Sequence, residues 1–292
     1  MSSIRRVGVL VKPHQPDALK TICRLVEWLA ARGVSVMTGP KVGPGEIERE
    51  TGCAVETLAY EEMAAAADLV VVLGGDGTMI AAARMLGQRE VPVLGVNHGS
   101  LGYLTEYRVE EMIPALESIL ADKYAVERRM MLEAEVFRGE ERLAEERVLN
   151  DVVISKSALA RIIEIETRIG GQFVNRFRAD GLIVSTPTGS TAYNLSAGGP
   201  IIYPSMGALV LTPICPHTLS NRPLVVPDDV GVELTLKTDK EEVALTLDGQ
   251  IGIPLEYEDR VTVRKSRTAF HLIQADTRNY FEVLRGKLRW GR

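Results

Sequence analysis

The sequence is poor in the residues that build disulfide frameworks, zinc sites and membrane spans. Its 292 residues include 3 cysteines and 4 histidines, without a Cys-x-x-Cys motif or a histidine pair at metal-ligand spacing. We therefore expect reduced thiols and no metal site made of protein ligands alone. No apolar run approaches the roughly 20 residues of a membrane helix, and the N-terminus lacks a signal-peptide region. These absences predict a cytoplasmic protein with no membrane contact.

The chain also has no excess of basic over acidic residues. The formal net charge is −5, which argues against nucleic acid as a general partner. Any binding of phosphate must then depend on local basic residues. With 46% hydrophobic residues and this length, the chain can bury a sizeable core and is expected to form two domains.

The first half alternates apolar strands with helical patterns. Strands are predicted at residues 7–11, 34–37, 69–73 and 91–96, and helices at residues 17–32, 61–67, 78–86 and 110–121. This alternation predicts a parallel sheet with helices on both faces. Ligands of such sheets bind beyond the carboxyl ends of the strands.

The second half changes to a period of two residues. Apolar and polar residues alternate over residues 132–136, 163–166, 232–236 and 243–247, which predicts an antiparallel sheet. The domain boundary is predicted near residues 125–129, giving an α/β domain over residues 1–127 and an antiparallel β domain over residues 128–274. Residues 280–288 have a helical pattern.

The segment 69–78, LVVVLGGDGT, leads from an apolar strand into a glycine loop and a helix. Gly74, Gly75 and Gly77 leave the main chain accessible to a phosphate, and the helix opened by Thr78 would favour an anion at its N-terminus. Asp76 adds a negative charge at this place. Such an acid can accept a proton from an attacking hydroxyl or hold a divalent cation. The alternative is a glycine turn in which Asp76 is a helix N-cap.

A second segment, residues 180–200, is a short apolar strand followed by small and hydroxyl-bearing residues. Loops of this composition bind flat polar ligands, because hydroxyls donate hydrogen bonds and small residues expose the main chain. The hydroxyl donors are Ser185, Thr186, Thr188, Ser190, Thr191 and Ser196.

Taken together, these motifs resemble the NAD kinases, which phosphorylate the 2′-hydroxyl of the adenosine ribose of NAD. The resemblance lies in GGDGT at 74–78, Asn150-Asp151, the segment 180–200, PHTLSNRP at 216–223 and LDGQ at 247–250. It implies a Rossmann-like parallel sheet in an α/β N-terminal domain and a sandwich-like antiparallel C-terminal domain that binds NAD. It also implies that residues 275–292 pack back on the first domain.

The resemblance implies roles for individual residues. Asp76 is the proton acceptor, and its loop, Gly74 to Thr78, contacts diphosphate. Asn150 and Asp151 contact ribose and adenine, and Asp180 holds the nicotinamide half. The adenine is surrounded by Thr191, Ala192, Tyr193, Asn194, Leu195 and Ser196.

Further candidates are weaker. Arg161 and Arg178 are candidate phosphate-binding cations, since a guanidinium matches phosphate bidentately; the alternative is that they are solvated strand residues. Gln250 is a minor candidate. Asp151 stands where the family usually has Glu, and its role is expected to survive. The loop at 97–103 also departs from the family, and we interpret it as a turn and not a contact surface.

The implied reaction is transfer of the γ-phosphoryl group of ATP to NAD at a cleft between the domains, with Mg2+ arriving on ATP. The implied assembly is a homodimer or homotetramer. Two alternatives remain: a lipid kinase of the diacylglycerol or sphingosine type, which shares GGDGT, and a protein that binds NAD without turnover. Donor breadth, preference for NAD or NADH, and feedback control are not determined by the sequence.

Overall fold

The computed structural model describes residues 4–12, 18–40, 42–99, 102–157, 160–218, 220–275 and 278–290. By its internal contacts the chain divides into two units. Unit 1 comprises Met1–Arg128 and Phe270–Arg292, and unit 2 comprises Arg129–Ala269. Each unit has its own hydrophobic core.

Unit 1 alternates strands and helices. Its strands are β1 (Arg6–Val11), β2 (Ser35–Thr38), β3 (Glu56–Thr57), β4 (Leu69–Leu73), β5 (Pro92–Asn97), β6 (Tyr107–Arg108), β7 (Val126–Arg129) and, late in the chain, β20 (Phe270–Ile273). Its helices are α1 (Ala18–Ala30), α2 (Pro44–Thr51), α3 (Tyr60–Ala66), α4 (Asp76–Leu86), α5 (Met112–Leu120) and α7 (Tyr280–Leu288), with a 3-10 turn at Val109–Glu111. No helix within the described ranges is long and apolar enough to cross a membrane.

These strands form one sheet of eight strands in the described part of the chain, in the order β3-β2-β1-β4-β5-β20-β7, with β6 beside β5. Strands β1 to β6 pair in parallel, and β20 joins β5 in parallel. The predicted parallel sheet is confirmed. Because β4 and β5 are parallel neighbours, the segments that follow them emerge at the same edge of the sheet.

Helices cover both faces of this sheet, as predicted. Val7 of β1 belongs to a buried cluster with Leu25 of α1 and Leu116 of α5. The next residue, Gly8, faces the opposite way. There the Met63 Cγ of α3 lies 3.2 Å from the place that a Cβ on Gly8 would take. Thus α1 and α5 lie on one face and α3 on the other.

Unit 2 consists almost entirely of strands. They are β8 (Leu132–Arg138), β9 (Glu141–Val148), β10 (Asp151–Lys156), β11 (Ile163–Ile169), β12 (Gln172–Ala179), β13 (Gly181–Ser185), β14 (Ala208–Ile214), β15 (Leu224–Pro227), β16 (Val232–Leu236), β17 (Val243–Leu247), β18 (Ile251–Leu255) and β19 (Arg260–Lys265). A 3-10 turn at Gly189–Thr191 and the short helix α6 (Tyr193–Ser196) follow β13.

The strands of unit 2 form two sheets, each of six strands over the described residues. Their orders are β15-β14-β13-β10-β17-β18 and β12-β11-β16-β19-β8-β9. Neighbours pair antiparallel throughout, for example β10 with β13 and β17, and β11 with β12 and β16. Inward residues of both sheets, such as Val152 and Ile165, share one core. The predicted antiparallel, sandwich-like domain is confirmed.

Several predicted bounds need adjustment. The strand at 69–73 and the helix at 280–288 coincide with β4 and α7. The helix predicted over residues 17–32 is α1, Ala18–Ala30, and Asp17 lies outside the described residues. Helix α2 was not predicted, because Ile47 is its one buried side chain among those described and gives no apolar period.

Candidate active site

The glycine loop of unit 1 leads directly into a helix. We predicted that this helix begins at Thr78, and that start is wrong: Asp76 is the first residue of α4. The preceding Gly75 is extended, with φ −98° and ψ −170°, and its carbonyl accepts the N–H groups of Thr78 at 2.9 Å and Met79 at 3.2 Å. Gly75 therefore occupies the N-cap position. The interpretation of Asp76 as the N-cap is wrong as well.

Asp76 is held by the turn that follows β5. Its carboxylate accepts the main-chain N–H of Tyr103 at 2.9 Å and of Leu104 at 3.0 Å. The Thr105 hydroxyl donates to the same carboxylate at 3.4 Å. Gly102 completes the turn by donating its N–H to the Thr105 carbonyl at 3.1 Å. The side chain of Asp76 is thus fixed in one orientation at the carboxyl edge of β4.

This turn was interpreted as conformational only, and that interpretation is incomplete. Residues 102–105 orient the candidate base, while Ser100 and Leu101 lie outside the described residues. Burial raises the pKa of the Tyr103 phenol above its usual value, and the negative charge of Asp76 adds to the effect. The predicted parallel sheet could have indicated this contact, because the segment that follows β5 emerges beside the segment that follows β4.

Lys12 is a cation near the same loop that the sequence reasoning missed. It follows β1, and its main-chain N–H donates to the Leu73 carbonyl at 3.0 Å. The residue is exposed. Because β1 pairs with β4 in parallel, Lys12 lies at the edge of the sheet where the glycine loop begins.

Unit 2 contains a cavity of about 350 Å³ beside β10 and β17, on the face of their sheet that points away from the core. Two predicted pairs of residues line it: Asn150 with Asp151 at the start of β10, and Ala192 with Tyr193 at the start of α6. Its other lining residues were not predicted as site residues: Val153, Ser155, Thr246, Asp248 and Gly249. This volume lies within the range of about 300–1,000 Å³ that is typical of small-molecule sites.

Asp248 connects the turn after β17 to the start of β10. Asp248 and Gly249 both have positive φ, +52° and +63°, as tight hairpin turns require. The carboxylate of Asp248 accepts three consecutive main-chain N–H groups, from Leu149 at 3.0 Å, Asn150 at 2.6 Å and Asp151 at 3.2 Å. These bonds set the course of the main chain through the Asn150-Asp151 pair.

The two predicted side chains on β10 have unusual environments. The Asn150 Oδ1 is a buried acceptor without a hydrogen-bond partner among the described residues. Asp151 is only 4% exposed. Burial, and then the charge of Asp248, raise the pKa of the Asp151 carboxyl to about 7. An unpaired acceptor and a perturbed acid at a cavity are typical of a binding site.

Several of the Ser and Thr side chains at and after the end of β13, predicted as donors to a ligand, form hydrogen bonds within the protein instead. Ser185, Thr186 and Ser190 are buried, and their hydroxyls donate to main-chain carbonyls, as does the Thr191 hydroxyl. Asn194 is fully buried: its amide donates to the Ser190 and Pro200 carbonyls, and its oxygen accepts from Thr212. The Asn194 side chain is therefore used within the fold, and the predicted contact of residues 191–196 with adenine stays a prediction.

The remaining predicted residues lie apart from the lining of this cavity. The Arg178 Nε, on β12, lies 3.2 Å from the Glu164 Oε1. Asp180 follows β12, and its Oδ1 lies 3.7 Å from the Lys156 Nζ. Arg161 and Gln250 are exposed, as is Ser196, whereas Leu195 is half-buried. In the motif at 216–223, His217 donates its N–H to the Arg178 carbonyl, and Leu219 lies outside the described residues.

Comparison with known proteins assigns the family. A model of the ATP-NAD kinase N-terminal domain matches residues 7–124, and one of the ATP-NAD kinase C-terminal domain matches residues 149–275. The chain is 51% identical over 289 residues to an NAD kinase of Citrifermentans bemidjiense, covering 99% of each chain. The chain belongs to the NAD kinase family. It is also 48% identical over 288 residues to an NAD kinase of Geotalea daltonii, again covering 99% of each.

Solved NAD kinase structures agree with this assignment. The chain resembles an NAD kinase from Archaeoglobus fulgidus in complex with ATP, with a TM-score of 0.74, 27% identity and coverage of 97% of this chain and 98% of that one. A yeast NADH kinase complexed with NADH has the same fold, with a TM-score of 0.89, 24% identity and coverage of 99% and 88%. The predicted fold and family are confirmed, and the lipid-kinase alternative is set aside.

Gly102 gives a direct test of the turn around Asp76 in this NAD kinase family member. A Cβ at Gly102 would lie 2.0 Å from the Asp76 Oδ1 and 2.6 Å from the Thr105 Oγ1. We expect Gly102→Ala to displace the carboxylate and to lower kcat at least tenfold, since an error of about 1 Å in position can cost 10²-fold.

The matched control is Gly99→Ala in the same loop, where the one atom of the described residues within 4 Å of a Cβ would be the Asn97 Oδ1, at 3.9 Å. Steady-state kinetics of both variants are compared with the wild type. Equal kcat values for the two alanine variants would show that the position of the Asp76 carboxylate does not matter for turnover.

Proposed function

We propose that this protein transfers the γ-phosphoryl group of ATP to the 2′-hydroxyl of the adenosine ribose of NAD, giving NADP and ADP. The bond between the hydroxyl oxygen and phosphorus forms while the bond from phosphorus to the β,γ-bridging oxygen breaks. The bridging oxygen leaves with its electron pair on ADP, and the hydroxyl proton is taken by a base. Family membership supports this reaction, and unit 1 and unit 2 each supply residues with the required chemistry.

The observation in the geometry that carries the proposal is the buried, unpaired Oδ1 of Asn150 at the cavity of unit 2. Leaving a buried acceptor without a partner costs about 1–3 kcal/mol. The exocyclic amino group of adenine donates hydrogen bonds and would satisfy this acceptor. Tyr193, 45% exposed at the same cavity, has a ring that can stack on the base. In this proposal unit 2 is the NAD-binding domain.

The phosphates are assigned to unit 1. Gly74 and Gly75 lead into α4, which begins with Asp76, Gly77 and Thr78, and the N-terminal end of this helix favours an anion through its N–H groups and dipole. Exposed Lys12 adds a positive charge beside this glycine loop. We assign it the contact with phosphate that the sequence reasoning had given to Arg161 and Arg178. Arg178 has Glu164 as its partner, which lowers its value as a phosphate ligand.

Asp76 is assigned as the proton acceptor. An ionised carboxylate has about four lone-pair sites, and three of them accept from Tyr103, Leu104 and Thr105. The remaining capacity can accept the hydroxyl proton as the new bond forms. Donors that hold the carboxylate in place reduce the reorganisation that the reaction requires.

Mg2+ enters this proposal as part of the substrate. Among the described residues, no group of three or more His, Cys, Asp and Glu side chains could hold a metal ion. Mg2+ commonly binds nucleotide phosphates and keeps several water ligands. It would neutralise charge on the phosphates of ATP, whose orientation depends on the loop and on Lys12.

Two further assignments follow from the resemblance. Asp180, beside Lys156, is proposed to contact the nicotinamide half.

A homodimer or homotetramer is proposed as the assembly. Edge strand β15 exposes Leu224 and Val225, which is compatible with a contact between subunits. Sedimentation velocity of the purified protein would determine the oligomeric state.

Incubation with NAD, ATP and Mg2+ tests the activity, with NADP detected by a dehydrogenase specific for NADP. We expect NADP to form in proportion to ADP. AMP as acceptor, and reactions without ATP, serve as controls. Saturable NAD binding in calorimetry without NADP formation would support the non-catalytic alternative. Phosphorylation of diacylglycerol or sphingosine in mixed micelles, without NADP formation, would overturn the proposal.

A further inference from the structure

Two residues that line the cavity of unit 2, Asp151 and Asp248, carry carboxyl groups. They are 4% and 8% exposed. The main chains of the two residues are joined directly, since the Asp248 N–H donates to the Asp151 carbonyl at 2.9 Å. Because both carboxyl groups are poorly hydrated and line one cavity, ionisation of one disfavours ionisation of the other.

The hydrogen bonds divide the two groups into an anion and an acid. The Asp248 carboxylate accepts the three N–H groups of residues 149–151, and such donors stabilise the charged form. Within the described part of the chain, no donor lies at hydrogen-bond distance from the Asp151 carboxyl. Asp248 is therefore the group that carries the negative charge.

The other neighbours of Asp151 supply no positive charge. Its partner on β13 is Ser185, whose hydroxyl donates to main-chain carbonyls. Thr246 of β17 and Tyr193 of α6 face the same cavity. Among the described lining residues, the ionisable ones are Asp151, Asp248 and Tyr193. Burial and the charge of Asp248 agree with this picture, because they raise the pKa of Asp151 to about 7.

We propose that Asp151 is a protonated acid when substrate binds, that Asp248 is the fixed anion that keeps it so, and that Asp151 donates a hydrogen bond to the adenosine half of NAD. A carboxylate at this place could only accept hydrogen bonds from the ligand. An acid can also donate to a ring nitrogen or a ribose oxygen. The identity of the ligand rests on the proposed function; the position of the proton rests on the geometry of the two carboxyl groups.

Asp248 is a positioning residue in this scheme. It shapes the main chain at Asn150-Asp151 and sets the protonation of Asp151, without itself contacting the reacting atoms. The variant Asp248→Asn removes the anion, so we expect Asp151 in this variant to lose its proton at lower pH than in the wild type.

The position of the proton is measured in the ligand-free protein, by carbon NMR of protein labelled with 13C at the aspartate carboxyl carbons. We expect one buried carboxyl signal to titrate with a midpoint near pH 7 and to vanish in Asp151→Asn. The control Asp180→Asn removes a half-exposed carboxylate and should leave that signal in place. An Asp151 signal that titrates near pH 4 would overturn the proposal whether or not the protein phosphorylates NAD.

The consequence for binding is measured by calorimetry with NAD. If only the acid form binds, Kd for NAD rises about tenfold between pH 6 and pH 8. Asp151→Asn, whose amide also donates, should keep the wild-type Kd at pH 6 within a few-fold and lose the pH dependence. Retention of the full pH dependence in Asp151→Asn would assign it to another group and refute this role.

Discussion

Replacing Asp76 with asparagine is expected to lower kcat by about 10²-fold or more while the Kd for NAD stays within a few-fold. The amide cannot accept the hydroxyl proton, whereas the adenosine contacts assigned to unit 2 are unchanged. Steady-state kinetics and a separate NAD titration measure the two quantities.

A control is needed because Asp76 also holds the turn at 102–105. In Asp76→Asn, the new Nδ2 would face one of the N–H donors of Tyr103 and Leu104. Thr105→Val removes the weakest contact of Asp76, at 3.4 Å, but leaves the carboxylate. We expect it to retain kcat within tenfold. If both variants lose activity equally, the effect comes from the turn and Asp76 is not the base.

Gly189→Ala is expected to destabilise unit 2 and to weaken NAD binding more than tenfold. A Cβ at Gly189 would lie 2.1 Å from the Asn150 carbonyl oxygen and 2.7 Å from the Asn150 Cα. These are main-chain atoms, and Asn150 is held on its other side by Asp248. Relief of the clash must move either the 3-10 turn or the start of β10. Overpacking of this kind typically costs about 1–3 kcal/mol.

The free energy of unfolding and the Kd for NAD are measured for this variant and for Gly252→Ala. The latter lies on β18 of the same unit, where a Cβ would meet no atom of the described residues within 4 Å. We expect Gly252→Ala to change stability by no more than about 0.5 kcal/mol. Equal stabilities for the two variants would mean that Asn150 is free to move and that the close approach at Gly189 has no role.

Elements with a strong apolar pattern were predictable, and polar ones were not. β4 was found because all five of its residues are apolar and buried. Helix α2 was missed because Ile47 stands among glutamates and arginine. The start of α4 was misplaced by two residues, since Gly75 and Asp76 could each be the N-cap by residue type. Only the extended conformation of Gly75 distinguished them.

The sequence motifs pointed to residues that line the cavity, but not to the residue that supports their main chain. Asn150, Asp151 and Tyr193 were candidates by their motifs, and all three line the cavity. Asp248 was not singled out, because its partners lie 97 to 99 residues away in the chain. The burial of Asn194, a polar residue in a polar loop, was likewise not evident from the sequence.

The sequence by itself determined the classes of the two folded units, the family and most of the residue types available for chemistry. These depend on local quantities: the period of the apolar residues, the glycines after a strand and motifs of a few residues. Only the tertiary structure decided which polar groups are used within the fold and which remain for a ligand. Hydrogen-bond partners and burial depend on contacts between distant segments, such as the three N–H groups that make Asp248 the anion and leave Asp151 the acid.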